Sequence, residues 1–156
     1  MANTQLSERI NYLEESQTIG MAKLCRELAE KGFDVINLSL GEPDFDTPIH
    51  VREAAKKAID EGYTHYPPIS GFIELRRVIA EKFKRENGLD YSPQQIVVST
   101  GAKQAIANVV LSLVDKDEEV IIPKPYWVSY IEIVKLAEGK PVFIPSTIET
   151  NFKISP

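Results

Sequence analysis

"QIVVSTGAKQAIANVVLSLVDKDEEVIIPKPYWVSYIEIVKLAEGKPVFIP", residues 95–145, switches repeatedly between two apolar spacings. Residues 95–99 (QIVVS), 120–123 (VIIP) and 141–145 (PVFIP) are short apolar runs rich in β-branched residues, the length and composition of buried strands. Between the first two, Ala102, Ala105, Ile106, Val109, Val110 and Leu113 fall at i, i+3, i+4, i+7, i+8 and i+11. That is one stripe of a helix over 101–113, expected to face a core. A further helix is predicted near 127–137, after the acidic turn "DKDEE". Strand, helix, strand, helix, strand implies an α/β fold, a mostly parallel sheet flanked by crossover helices. Three strands make a thin sheet with exposed edges, so the polypeptide is expected to continue past "NFKISP".

The upstream half is read by the same rules. Residues 1–15 are polar and are expected to form an arm or a short helix. A helix is predicted over 18–31, with Met21, Leu24, Cys25 and Leu28 on one face and Gly32 as its stop. "DVINLSL" (34–40) reads as a short strand ended by the Gly-, Pro- and Asp-rich turn "GEPDFDTP". Helices are predicted over 49–60 (Val51, Ala54, Ala55, Ala58) and 72–86 (Phe72, Leu75, Ile79, Phe83). The second stops at Asn87-Gly88. "YTHYPPISG" (63–71) is a proline-broken loop.

Bulk composition excludes some partners. With 18 basic against 23 acidic residues the net charge is -5, which argues against nucleic acid or an anionic membrane held by bulk charge. No stretch approaches the 18 apolar residues of a membrane span, and the N-terminus has no apolar signal core. The single cysteine, Cys25, has no internal disulfide partner and is expected to be plain packing. A cytoplasmic location is expected. His50 and His65 stand apart from other ligand-type residues, so no metal is expected. Glu42 and Asp44 read as turn and capping residues.

The entrance of the 101–113 helix lies directly behind a predicted strand. Its first N–H groups have no intrahelical acceptor, and the helix dipole favours an anion there. Gly101 and Ala102 leave the backbone open, and Ser99 or Thr100 can add a hydroxyl. Two readings stand side by side: Thr100 as an ordinary cap, or an anion site. Neither G-x-x-x-x-G-K-[ST] nor G-x-G-x-x-G occurs, which favours a phosphate-bearing cofactor other than a nucleotide.

"NLSLGEPDFDTP", "YPPISGFIELRRVIAEKF", "STGAKQAIANVVLSLVDKDEEVIIPKPYWVSY" and "NFKISP" follow one another in an order and spacing that resemble the class I, fold type I pyridoxal-phosphate-dependent aminotransferases. The bacterial aspartate aminotransferase-like branch is the nearest in pattern. The resemblance runs from about residue 16 onward and corresponds to the N-terminal part of that fold, with an incomplete large domain. It implies an arm over 1–15, a contribution to the small domain over 16–47, and the first part of the large cofactor-binding domain over 48–156.

The resemblance also implies roles. Gly101, Ala102 and Lys103 match the cradle for the phosphate of pyridoxal 5'-phosphate, and Trp127 matches the aromatic residue stacked on its ring. Tyr66 matches the tyrosine that reaches the phosphate in the neighbouring subunit, so the intact parent is expected to be a homodimer. Gly41 matches the glycine against the substrate α-carboxylate, and a glycine in this Pro- and Asp-rich turn permits φ > 0 or a close backbone approach. Ser16 and Thr18 match a stretch near the substrate side chain, although a helix cap explains them as well. Lys103 also matches a position that meets a dicarboxylate's distal carboxylate. The family's Schiff-base lysine lies in a later S-x-x-K segment. No lysine here follows a serine at that spacing, so that lysine is expected beyond Pro156 and this chain is expected to hold no catalytic residue. The implied substrates are an amino acid, aspartate first, and a 2-oxo acid such as 2-oxoglutarate. Alternatives are a glutamate–prephenate-type parent, a short non-catalytic binding or interaction module, or a methyltransferase-like or phosphate-binding α/β domain without pyridoxal phosphate.

Overall fold

A computed structural model describes residues 6–14 and 16–155; the first five residues of the expected arm, Glu15 and Pro156 lie outside the described residues. The chain divides into two compact units. One holds the described residues through Gly41 together with those from Ala102 on; the other is Glu42–Gly101.

The first unit contains α1 (Glu8–Asn11), α2 (Gln17–Glu30), α5 (Ala102–Leu113), β1 (Glu119–Lys124), α6 (Ser129–Leu136) and β2 (Lys140–Pro145). β1 and β2 pair in parallel from Glu119↔Lys140 to Lys124↔Pro145, with α6 as the crossover. A parallel pair needs such a connection, and a helix supplies it. The core lies where α6 covers the sheet. Ile122 of β1 and Ile133 and Val134 of α6 are buried there, with Val134 only 2% exposed. Tyr126 stacks on Phe143 of β2, rings 5.3 Å apart and inclined by 16°. The Lys124–Pro125 peptide is cis.

The "DKDEE" turn does more than face water. Asp117 donates its N–H to the carbonyl of Glu138, and Lys140 donates its N–H to that of Glu118. These bonds tie the entrances of β1 and β2 together. The Asp117 carboxylate also meets the Lys140 ammonium at 2.9 Å, and that bond holds the Asp117 pKa below the ordinary aspartate value. A lowered carboxyl pKa means stability that is present above the unfolded value of about 3.9 and is lost as pH falls through the folded one. Asp117→Asn is therefore expected to flatten acid destabilisation below about pH 4 in urea midpoints measured from pH 6 to pH 2. The effect is small and shrinks with added salt, since both side chains are solvated.

The second unit contains α3 (Ile49–Asp60), α4 (Ile73–Asn87) and a 3₁₀ turn at Pro93–Gln95. Ala80 of α4 and Ile96 are its buried apolar residues. α4 ends as its composition predicts: Gly88 is left-handed at φ 68°, and Leu89 donates its N–H to Phe83. Phe83 meets Tyr91 edge-on at 6.3 Å.

Two predicted strands form no ladder among the described residues. Segment 95–99 is extended at Ile96 (φ -112°, ψ 130°), yet the Val98 N–H goes to the carbonyl of Ser70 in a loop. Segment 34–40 carries Ile36 at 85% and Leu38 at 90% exposure. Its Ser39 gives both its N–H and its hydroxyl to the Asn37 side chain, a local bond that competes with strand pairing. The expected core face of α5 is half realised. Ala105, Ile106 and Val110 are partly buried, whereas Val109 and Leu113 stand in solvent. α2 and α3 likewise bury no residue fully, and Cys25 is half-buried.

Candidate active site

β1 delivers the chain through Pro125 to Tyr126 and Trp127, and α6 begins two residues later. Burial of Ile122 on one side of this turn and of Ile133 and Val134 on the other holds both its ends. Trp127 remains 42% exposed, and its ring meets Tyr130 edge-on at 5.6 Å. The Lys103 amine, in the first turn of α5, lies over the Trp127 ring, 4.8 Å from its centroid. The fold thus brings the entrance of α5 beside the one tryptophan of the chain. Sequence separates these residues by a strand and a helix, so only tertiary packing makes them neighbours.

Gly101 precedes α5 with φ 85°, and nothing stands within 4 Å of where a Cβ would project. Its N–H turns back to the carbonyl of Ser99 at 2.8 Å. Gly101, Ala102 and Lys103 are all exposed, so the helix entrance opens to solvent. Exposed N–H groups at a helix start, the positive end of its dipole and a lysine ammonium in the same turn together favour an anion. A flat ring surface lies alongside.

The other expected residues fare differently. Gly41 is exposed, nothing stands within 4 Å of where a Cβ would project, and its φ lies outside the left-handed region. The left-handed conformation that a turn glycine permits is thus not used at Gly41. Ser16 is at the N-cap of α2, but its side chain makes no capping bond; Thr18 sits half-buried in the first turn. Tyr66 belongs to the second unit, where its side chain is fully exposed.

One cluster escaped the sequence reading. A cavity of about 320 Å³ is lined by Ser16, Gln17, Tyr126, Ser129, Glu132 and Lys135, among others. Glu132 accepts the N–H of Glu14 at 3.0 Å and meets Lys135 at 2.9 Å. That bond to Glu132, opposed by desolvation and helped by Glu14, raises the Lys135 pKa. The i,i+3 spacing of Glu132 and Lys135 was a readable signal; the 118-residue reach to Glu14 was not.

Sequence comparison adds the deciding observation. A family model described as aminotransferase class I and II matches residues 33–155. The chain belongs to that family. This aminotransferase chain is 49% identical over 152 residues to the aspartate/prephenate aminotransferase of Nitrosomonas europaea, covering 97% of this chain and 38% of that protein. It is 49% identical to the aspartate aminotransferase of Bacillus subtilis, covering 97% of this chain and 39% of that one. Among solved structures, the aspartate aminotransferase of Thermus thermophilus with maleate matches at a TM-score of 0.92 and 43% identity, over 97% of this chain and 40% of that chain. The chain spans about two fifths of the length of these aminotransferases. The parallel β1–β2 pair with its flanking helices is thus part of the aminotransferase fold.

The aminotransferase cofactor can be tested against the residues present. Pyridoxal 5'-phosphate couples a dianionic phosphate to a flat pyridine ring. The open turn at Gly101, the N–H groups of α5 and the Lys103 ammonium suit the first; the exposed Trp127 ring suits the second. The residues fit the group. Among the described residues, no three His, Cys, Asp or Glu side chains are grouped to hold a metal ion. No helix among them is long and apolar enough to cross a membrane.

Proposed function

We propose that this chain forms the phosphate- and ring-holding face of a pyridoxal 5'-phosphate-dependent aminotransferase that transfers the amino group of aspartate to a 2-oxo acid such as 2-oxoglutarate. The observation that carries the reading is the Lys103 amine beside Trp127 at the opening of α5, in a chain of the aminotransferase family.

When bound, the cofactor supplies an electron sink for the substrate's Cα. The chain's own contribution is orientation and charge. The main chain at Gly101 and Ala102 anchors the phosphate, and Lys103 adds positive charge where the anion sits. Trp127 fixes the plane of the ring. Gly41 lies against the substrate α-carboxylate, and Thr18 approaches its side chain. Lys103 suits a second carboxylate on the substrate as well, which favours a dicarboxylic amino acid. The maleate of the Thermus structure, itself a dicarboxylate, supports that preference. Tyr66 serves the phosphate of a second copy, which makes the working protein a homodimer. Residues 16–47 contribute to a small domain and 48–156 to a large one, and the protein works in the cytoplasm.

A second reading concerns the acceptor. Relatives from Nitrosomonas europaea and Cereibacter sphaeroides are named aspartate/prephenate aminotransferases, which favours prephenate as a further amino acceptor.

The test uses the full-length product of the reading frame. It is expected to bind pyridoxal phosphate and to convert aspartate with 2-oxoglutarate to oxaloacetate and glutamate. Failure with every dicarboxylic donor would remove the aspartate assignment, and prephenate consumption in a parallel assay decides the second reading. The 156-residue chain by itself is expected to be inactive. After pyridoxal phosphate and borohydride it is expected to carry no stoichiometric adduct at any one lysine by peptide mass mapping; such an adduct at Lys103 would refute its placement at the phosphate.

A further inference from the structure

Tyr66 sits in a loop whose tip is free and whose base is fastened. At the tip, Tyr66 and Ile69 flank Pro67 and Pro68, and both side chains are fully exposed. The loop opens at Tyr63 and closes at Phe72, whose rings meet edge-on at 6.0 Å. Gly71 donates its N–H to the carbonyl of Pro68 at 2.8 Å, closing a tight turn. The next two carbonyls are held from outside the loop. That of Ser70 accepts the Val98 N–H at 3.1 Å, and that of Gly71 accepts Arg76 Nε, also at 3.1 Å. Arg76 uses its remaining reach on a third segment: a terminal guanidinium nitrogen donates to the Pro93 carbonyl at 3.1 Å. The side chain is half-buried between them.

These contacts have a geometrical consequence. The two prolines hold their φ near -65°, which removes two of the soft torsions between Tyr66 and the fastened carbonyls. Anchoring at Ser70 and Gly71 therefore narrows the directions open to Tyr66. The same guanidinium grips the turn at Pro93, from which the chain runs through Ile96 and Val98 to Gly101. One planar fork thus ties the loop bearing Tyr66 to the segment that leads into the α5 entrance. Lysine offers a point charge and cannot reproduce two diverging donors of fixed angle.

We propose that Arg76 is the positioning residue of the Tyr66 loop, aiming that phenol at the cofactor phosphate held by a second copy of the chain. The proposal rests on the phosphate role assigned to Tyr66 above. Arg76 itself touches neither substrate nor cofactor.

A double-mutant cycle tests it in the full-length protein, with pyridoxal phosphate Kd of the apoprotein as the readout. Tyr66→Phe is expected to weaken binding by about 10-fold, the effect of losing a hydrogen bond to a charged group. Arg76→Met is expected to weaken it by roughly 5- to 10-fold and Arg76→Lys by less, since lysine restores one donor but not the fork. The double variant Tyr66→Phe/Arg76→Met is expected to bind within about 2-fold of the weaker single variant, because both changes remove the same contact. Multiplying effects, or an Arg76→Met protein with unchanged Kd while Tyr66→Phe is impaired, would overturn the role of Arg76 and leave that of Tyr66 standing. Unchanged Kd in Tyr66→Phe would remove the phosphate role of Tyr66 and this proposal with it. If Arg76→Met fails to fold, the same cycle run with Arg76→Lys gives the same decision.

Discussion

Gly71→Ala is expected to lower the stability of the Glu42–Gly101 unit by roughly 2–5 kcal/mol, a large part of what a small domain has. Two penalties of separate origin combine. Gly71 has φ 90°, where a Cβ strains the backbone at a cost of about 1–2 kcal/mol. The added methyl would also lie 2.7 Å from Val98 Cγ2 and 2.8 Å from Val98 Cβ, and overpacking of this kind costs about 1–3 kcal/mol. Val98 cannot retreat freely, because its N–H is bound to Ser70 one residue away from the clash. Gly88→Ala is the matched control: its φ of 68° brings strain, but nothing stands within 4 Å of the new methyl. Urea denaturation of both variants separates the two terms. Equal losses would show that Val98 and the loop yield to the methyl, and would remove the packing argument.

Gly101→Val is expected to weaken pyridoxal phosphate binding in the full-length protein by at least about 100-fold, the scale of losing a charged hydrogen-bond set of about 3 kcal/mol. The reason is conformational, since space around Gly101 is open. A β-branched residue is an outlier at φ 85°, so the turn must rearrange, and the N–H groups that open α5 are then aimed elsewhere. Gly101→Ala strains the same turn less and is expected to cost about 10-fold. Isothermal titration of the apoproteins measures both, with urea midpoints as the stability control. A loss of stability with unchanged cofactor affinity would show that the phosphate is held elsewhere. Gly101 and Gly71 thus make contrasting demands on glycine: one for backbone freedom alone, the other for freedom and room.

How much of the site the sequence carries can be judged at particular residues. The α5 entrance was legible because every signal there is local: a glycine, a small residue, then an apolar stripe of helical period. The pairing of Lys103 with Trp127 was not legible, because its neighbour in sequence is Gln104, whereas its neighbour in space is Trp127. Nothing local in the sequence marks Arg76, since a single arginine on an amphipathic helix is ordinarily solvated. Its two carbonyl partners, Gly71 and Pro93, lie in different loops.

The strands show the same limit from the other side. Segments 34–40 and 95–99 have strand composition, yet strand composition states a readiness to pair and cannot supply the partner. β1 and β2 found each other; Val98 found a loop, and Ser39 found Asn37.

Taken alone, the order of residues settled the helices and their stops, the helix–strand–helix–strand alternation from α5 to β2, and membership of the aminotransferases. Those properties are written in spacings of a few residues and in short motifs, and they survive without knowledge of what packs where. The three-dimensional arrangement alone decided which apolar faces are covered, which strands pair, and which side chains share the helix entrance with Trp127. Burial and pairing are relations between distant segments, and a relation of that kind has no local spacing to be read from.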